Sequence, residues 1–194
     1  MTKQMTKQMN STAQSDQHWM QQALALAKRG QYTTRPNPAV GCVLVKDNQL
    51  IGEGFHPKAG QPHAEVFALR QAGAQASGAT AYVTLEPCAH FGRTPPCANA
   101  LIEAGVARVV MATLDSNPHV AGIGRARIEA AGIATTVGVC EAEAQALNAG
   151  FLQVMAGGRP YVRLKIAASL DGRTAMDSGE SKWITGAAAR AEVQ

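Results

Sequence analysis

Apolar and polar positions alternate in two periods along the chain, and the switches between them mark the elements. Residues 1–14 repeat Met-Thr-Lys-Gln and stay polar, with no apolar face to bury, so residues 1–16 are expected to be a disordered tail. Trp19, Met20, Ala23, Leu24 and Ala27 then recur at helical spacing. They predict a helix over about 17–29, capped by Ser15 or Asp16 and stopped by Gly30. Thr34-Arg35-Pro36-Asn37-Pro38 is a stiff loop, because each proline fixes its own φ and biases its predecessor towards extended backbone. The runs Ala39–Lys46 and Leu50–Phe55 predict a hairpin around Asp47-Asn48-Gln49. Gly52 and Gly54 weaken its second strand and imply that another backbone comes close there.

Strands and helices alternate after that point. Helices are predicted over about 63–73, 96–104, 121–131 and 141–156, with strands over about 80–85, 107–113 and 133–139. This order defines an α/β layered domain, and the opening hairpin makes its sheet mixed. Gly157-Gly158-Arg159-Pro160 is the best linker in the chain. Beyond it, Tyr161–Ala168 predicts a strand and Ser169–Arg173 a turn. A segment as short as 159–194 cannot bury a core alone, so it is expected to be the opening fragment of a second, truncated domain.

Composition narrows the classes. Hydrophobic residues are 46 % and charged ones 16 %, ordinary for a globular core. No apolar run approaches the span of a bilayer, and no apolar segment with a cleavage site opens the chain, so neither membrane nor secretion is expected. The net charge of +4 is dispersed and tolerates an anionic small substrate without signalling nucleic acid. Four cysteines are too few for a disulfide scaffold and, in a cytoplasmic protein, favour metal binding or catalysis. Cys42 and Cys140 fall in or beside apolar runs and read as core residues.

The remaining two cysteines sit in Tyr82–Cys97, YVTLEPCAHFGRTPPC. Cys88 follows a strand end and Cys97 opens a helix, each behind a proline, where free backbone N–H groups favour thiolate. His63, at another helix start, completes a His/Cys/Cys set with Glu65 two residues away. Three N/S ligands with an open position describe a catalytic zinc site. Glu65 would then carry protons between water and a departing amine rather than bind metal. A structural zinc with His56 or His90 as fourth ligand is the competing reading; it leaves Glu65 without a role. The zinc nucleobase deaminase signature pairs H-x-E with P-C-x-x-C, whereas here the second cysteine follows after eight residues.

Taken with Thr34–Gly41 and Ala168–Ala175, these motifs make residues 17–194 resemble the bifunctional riboflavin-biosynthesis deaminase/reductase family. The Gly92–Cys97 block separates that family from cytidine, guanine and tRNA-adenosine deaminases. The resemblance implies a three-layer α/β/α cytidine-deaminase-like domain over 17–157, followed by the start of a dihydrofolate-reductase-like domain over 159–194. It implies Zn2+ on His63, Cys88 and Cys97, with Glu65 as the catalytic proton carrier. Asn37 would contact the pyrimidine, His90 and Arg93 the ribose phosphate, and Asp115 and Asn117 further parts of the substrate. In the second segment, Ala167 and Trp183 match positions that bind NADP, and Ser181 one that binds the reductase substrate. Hydrolytic deamination of 2,5-diamino-6-(5-phosphoribosylamino)pyrimidin-4-one is the activity implied, with NADPH-dependent reduction in the full-length family. A phosphorylated small molecule is the expected partner and a homodimer the expected assembly. The rivals are a nucleic-acid or free-nucleobase deaminase, for which aromatics at 5 % are sparse, and a zinc-stabilised binding module without catalysis.

Overall fold

The computed structural model describes residues 3–91 and 95–193, with side chains from Thr12 onward. The chain divides into two compact units, 1–161 and 162–194.

In the first unit, helix α1 (Lys3–Lys28) is followed by strands β1 (Gly41–Lys46) and β2 (Gln49–Phe55). Then come helix α2 (Ala64–Ala72), strand β3 (Thr80–Val83), helix α3 (Cys97–Glu103) and strand β4 (Arg108–Met111). Helix α4 (Ile123–Ala130), strand β5 (Ala134–Val137) and helices α5 (Glu141–Leu147) and α6 (Ala149–Met155) complete it. The sheet has the order β2-β1-β3-β4-β5, antiparallel on either side of β1 and parallel from β3 onward. It is mixed, as the pattern implied.

The period-2 alternation of β1 explains the layers. Cys42 and Leu44 pack with Ala64, Ala68, Ala98, Leu101 and Ile128 of α2, α3 and α4 on one face. Val43 and Val45 pack with Trp19, Met20, Ala23 and Leu24 of α1 and Ala144 of α5 on the other. Gly52 and Gly54 are where α2 lies on β2. A Cβ would stand 2.2 Å from the Ala68 carbonyl oxygen at the first and 2.4 Å from that of Ala64 at the second.

The structure corrects the start of the chain. Residues 3–16, expected to be a disordered tail, continue α1, because Met, Lys and Gln are good helix formers and neither Gly nor Pro interrupts them. Asp16 is therefore not a cap. It lies buried in mid-helix, accepts two bonds from the Arg108 guanidinium at 3.0 and 2.7 Å, and takes the Tyr82 hydroxyl at 2.9 Å. This ties α1 to β3 and β4.

The expected helix over 141–156 breaks at Asn148, which is buried. Its side chain accepts from the Ala39 N–H and donates to the Ala39 carbonyl, both at 2.8 Å, as a neighbouring strand would. The strand expected over Tyr161–Ala168 does not form, since no described strand pairs with it. Val162, Leu164 and Ile166 are exposed. The turn at Ser169–Arg173 is present, with the Ser169 N–H donating to the Arg173 carbonyl at 2.9 Å. A short helix, α7 (Ala187–Ala191), lies near the end.

Candidate metal centre and active site

His63 immediately precedes α2 with extended backbone angles (φ −77°, ψ 167°), which turns its side chain away from the helix barrel. Glu65 follows in the first turn. Cys97 opens α3 behind Pro96, and Cys88 lies in the loop after β3. That loop is folded back on α3 by two bonds: Ala98 N–H to the Cys88 carbonyl at 3.1 Å, and Cys97 N–H to Cys88 Sγ at 3.3 Å. The eight-residue spacing thus closes on one point. His63 Nδ1 stands 3.3 Å from Cys97 Sγ and 3.6 Å from Cys88 Sγ. The three donor atoms lie within 4.8 Å of one another, a potential metal-binding group formed among the described residues.

The charges follow the contacts. Cys88 is pulled below the ordinary thiol range because Cys97 donates to it, with His63 and the Cys97 N–H assisting against burial. Cys97, as the donor to Cys88, is pushed up. The contact with Cys88 likewise raises His63. Glu65 is buried and pushed up to about 7, first by desolvation and then by the neighbouring Cys88. Its Oε2 has no hydrogen-bond partner among the described residues. Two sulfurs and an imidazole suit zinc, and the orphaned carboxylate oxygen beside them is what a reaction site, rather than a closed structural site, leaves over. These residues fit a zinc ion.

His56 is not a fourth ligand. Its Nδ1 lies 3.1 Å from the Pro62 carbonyl and its Nε2 3.1 Å from Asn37 Nδ2. A carbonyl only accepts, so Nδ1 carries the proton and Nε2 accepts from the Asn37 amide. Burial keeps the ring neutral by lowering its pKa, and it packs edge-on to His63 at 5.1 Å. His90 is exposed and outside the cluster.

Asp115 and Asn117 are half-buried in the loop after β4 and bond locally. The Asn117 N–H donates to Asp115 Oδ1 at 2.8 Å, and the His119 N–H to Asn117 Oδ1 at 3.0 Å. Arg93 lies outside the described residues. In the second unit, Ala167 is half-buried and Ser181 and Trp183 are exposed, with Arg190 over the Trp183 ring at 4.2 Å.

Sequence reasoning gave no positioning role to His56, Glu86 or Asn148. For Glu86 the one signal was a carboxylate directly ahead of Pro87-Cys88.

A mixed-sheet α/β/α layer with His/Cys/Cys and a buried carboxylate at the helix starts defines a zinc deaminase fold, and the comparisons agree. Residues 13–113 match the cytidine and deoxycytidylate deaminase zinc-binding region, and the chain belongs to that family. Residues 160–194 match the RibD C-terminal domain. The chain is 62 % identical over 179 residues to the riboflavin biosynthesis protein RibD of Escherichia coli, covering 92 % of this chain and 49 % of that protein. A crystal form of RibD from Acinetobacter baumannii is 69 % identical with a TM-score of 0.87, covering 93 % of this chain and 51 % of that one. The Thermotoga maritima diaminohydroxyphosphoribosylaminopyrimidine deaminase/5-amino-6-(5-phosphoribosylamino)uracil reductase is 44 % identical at the same TM-score, covering 94 % and 52 %. The resemblance to the bifunctional riboflavin-biosynthesis family is borne out, and the chain spans about half the length of the curated relatives it matches.

Proposed function

We propose that residues 17–157 carry out hydrolytic deamination of 2,5-diamino-6-(5-phosphoribosylamino)pyrimidin-4-one, the deaminase reaction of riboflavin biosynthesis. The observation that carries this reading is Glu65, buried, held near neutrality and left with one unpartnered oxygen beside three convergent metal donors. A buried carboxyl raised towards neutrality can both accept and return a proton, as an acid–base group must. In the overall exchange water adds at the amine-bearing ring carbon, the C–N bond breaks, and ammonia leaves with the proton that Glu65 carried. His63, Cys88 and Cys97 would hold zinc, which when bound supplies the Lewis acidity that makes water a nucleophile near neutral pH. Asn37 gives its Nδ2 to His56, so its Oδ1 is left to accept from a ring donor of the pyrimidine.

The names of the relatives support the phosphoribosyl substrate, and so do the matched positions His90, Arg93, Asp115 and Asn117. A guanidinium at Arg93 suits a phosphate dianion. Residues 159–194 are proposed to open an NADPH-dependent reductase domain, with Ala167 and Trp183 towards the dinucleotide and Ser181 towards its substrate; the match to the RibD C-terminal domain supports this. Action in the cytoplasm as a homodimer completes the proposal. None of the described helices is long and apolar enough to cross a membrane.

The test is ammonia release from the diaminopyrimidinone ribotide, with and without chelator, by the wild type, Glu65→Gln and Arg93→Ala. Chelation should stop the wild type. Glu65→Gln should keep its metal and lose at least about a hundredfold in turnover. Arg93→Ala should lose roughly tenfold to a hundredfold through KM, and only with the phosphorylated substrate. Metal lost together with activity in Glu65→Gln would remove the role given to Glu65.

A further inference from the structure

Glu86 is buried, carries a carboxylate, and makes no ion pair among the described residues. Its acceptors are taken instead by backbone N–H groups from one loop and the first turn of the helix that follows it. Oε2 accepts from Asp115 at 3.2 Å and Gly122 at 2.9 Å, and Oε1 accepts from Arg125 at 3.0 Å. Asp115 lies in the first half of the loop between β4 and α4, Gly122 closes it, and Arg125 lies in the first turn of α4. One side chain therefore holds both halves of this loop. The backbone reinforces the clamp: the Glu86 N–H donates to the Thr113 carbonyl at 2.9 Å. A Cβ on Gly124 would meet the Pro87 carbonyl oxygen at 2.0 Å and the Glu86 side chain at 3.2 Å, so α4 lies directly on the Glu86 side chain and the Pro87 carbonyl. Cys88 follows at once.

We propose that Glu86 is a positioning residue of the deaminase site. It fixes the Asp115–Gly122 loop to the segment that carries Cys88, so that the substrate contacts at Asp115 and Asn117 hold a set distance from the metal donors. This rests on the substrate reading of Asp115 and Asn117 given above. The chemistry of the clamp needs an anion with two equivalent acceptors. Glutamine presents one oxygen and turns an NH2 group towards a backbone N–H, so either the α4 bond or both loop bonds are lost. Alanine loses all of them. Alanine at position 124 would push α4 away from Pro87 and strain the same clamp from the other side.

Two readouts test it in the 194-residue protein loaded with zinc. The first is amide hydrogen exchange at Asp115, Gly122 and Arg125, which needs no substrate. Glu86→Gln should speed exchange at one or more of these amides roughly tenfold, while zinc content and exchange at the Cys97 and Ala98 amides stay at wild-type values. The second is steady-state deamination. Glu86→Gln and Gly124→Ala should both raise KM roughly tenfold with kcat within about a factor of three of wild type, and Glu86→Asp should not restore KM because it is one methylene short. Unchanged exchange at all three amides overturns the clamp. Faster exchange with unchanged KM overturns the positioning role and leaves Glu86 a purely structural anchor. If wild-type protein turns over no ribotide, the substrate reading fails instead, and the exchange data still decide the clamp.

Discussion

Glu65 concentrates the conflict between burial and charge in this site. Burial, then the nearby Cys88, pushes its carboxyl from 4.5 to about 7. In metal-free protein the folded state thus keeps a proton that the unfolded state releases between those values. A folded pKa above the unfolded one means stability is greatest below about 4.5 and falls as pH rises through about 7. Glu65→Gln has no such proton to lose. In chelator, the urea midpoint of the wild type should fall between pH 5 and pH 7 more steeply than that of Glu65→Gln. Equal slopes would place the pH dependence on other groups. The convergence of His63, Cys88 and Cys97 beside Glu65 was legible in the sequence because each signal is local: a two-residue step from His63 to Glu65, and Pro-Cys steps at a strand end and a helix start. His56 was legible only as a histidine. Its work depends on a partner 19 residues away, Asn37, and on the Pro62 carbonyl, which fixes its tautomer.

At the scale of elements, the alternation of apolar positions located every strand of the sheet, and the glycines of β2 marked where α2 would press on it. The sequence reading failed where a polar side chain replaces a backbone partner. The 141–156 pattern reads as one helix, yet Asn148 breaks it to pair with Ala39 across 109 positions. Asp16 reads as a cap, yet it joins Arg108 across 92. Nothing in a local window records either partner. Asn148 also has a job: it pins the residue two positions after Asn37, and hence the loop that carries Asn37. Asn148→Ala leaves the Ala39 N–H and carbonyl buried without partners, at about 1–3 kcal/mol each. Chemical denaturation should show a loss of at least about 2 kcal/mol, whereas Asn148→Asp, which keeps the acceptor, should recover part of it. A loss no larger than that of an exposed Asn→Ala change would mean that water replaces the amide at Ala39.

For the whole molecule, the two units differ in what holds them. Unit 1 has a sheet covered on both faces, with apolar side chains from every strand but β2 and β5 fully buried. In residues 162–194, Val162, Leu164, Ile166, Leu170, Met176 and Trp183 are all exposed, and the ordered features are local turns and one short helix. A dinucleotide pocket requires a concave apolar wall with a few fixed polar groups. Ala167 lies on a stretch without a strand partner among the described residues, and Trp183 is 69 % exposed, with Arg190 over its ring at 4.2 Å. Within their own unit Ala167 is half-buried and Trp183 is exposed. Calorimetric titration of the 194-residue protein with NADPH should therefore give no saturable heat at micromolar concentrations, while deamination by the same preparation proceeds. Adding NADPH should likewise leave the thermal transition where it was, since a ligand stabilises only the state it binds. Micromolar binding, or an upward shift of the transition, would mean that residues 162–194 close on the dinucleotide and form its pocket only in its presence.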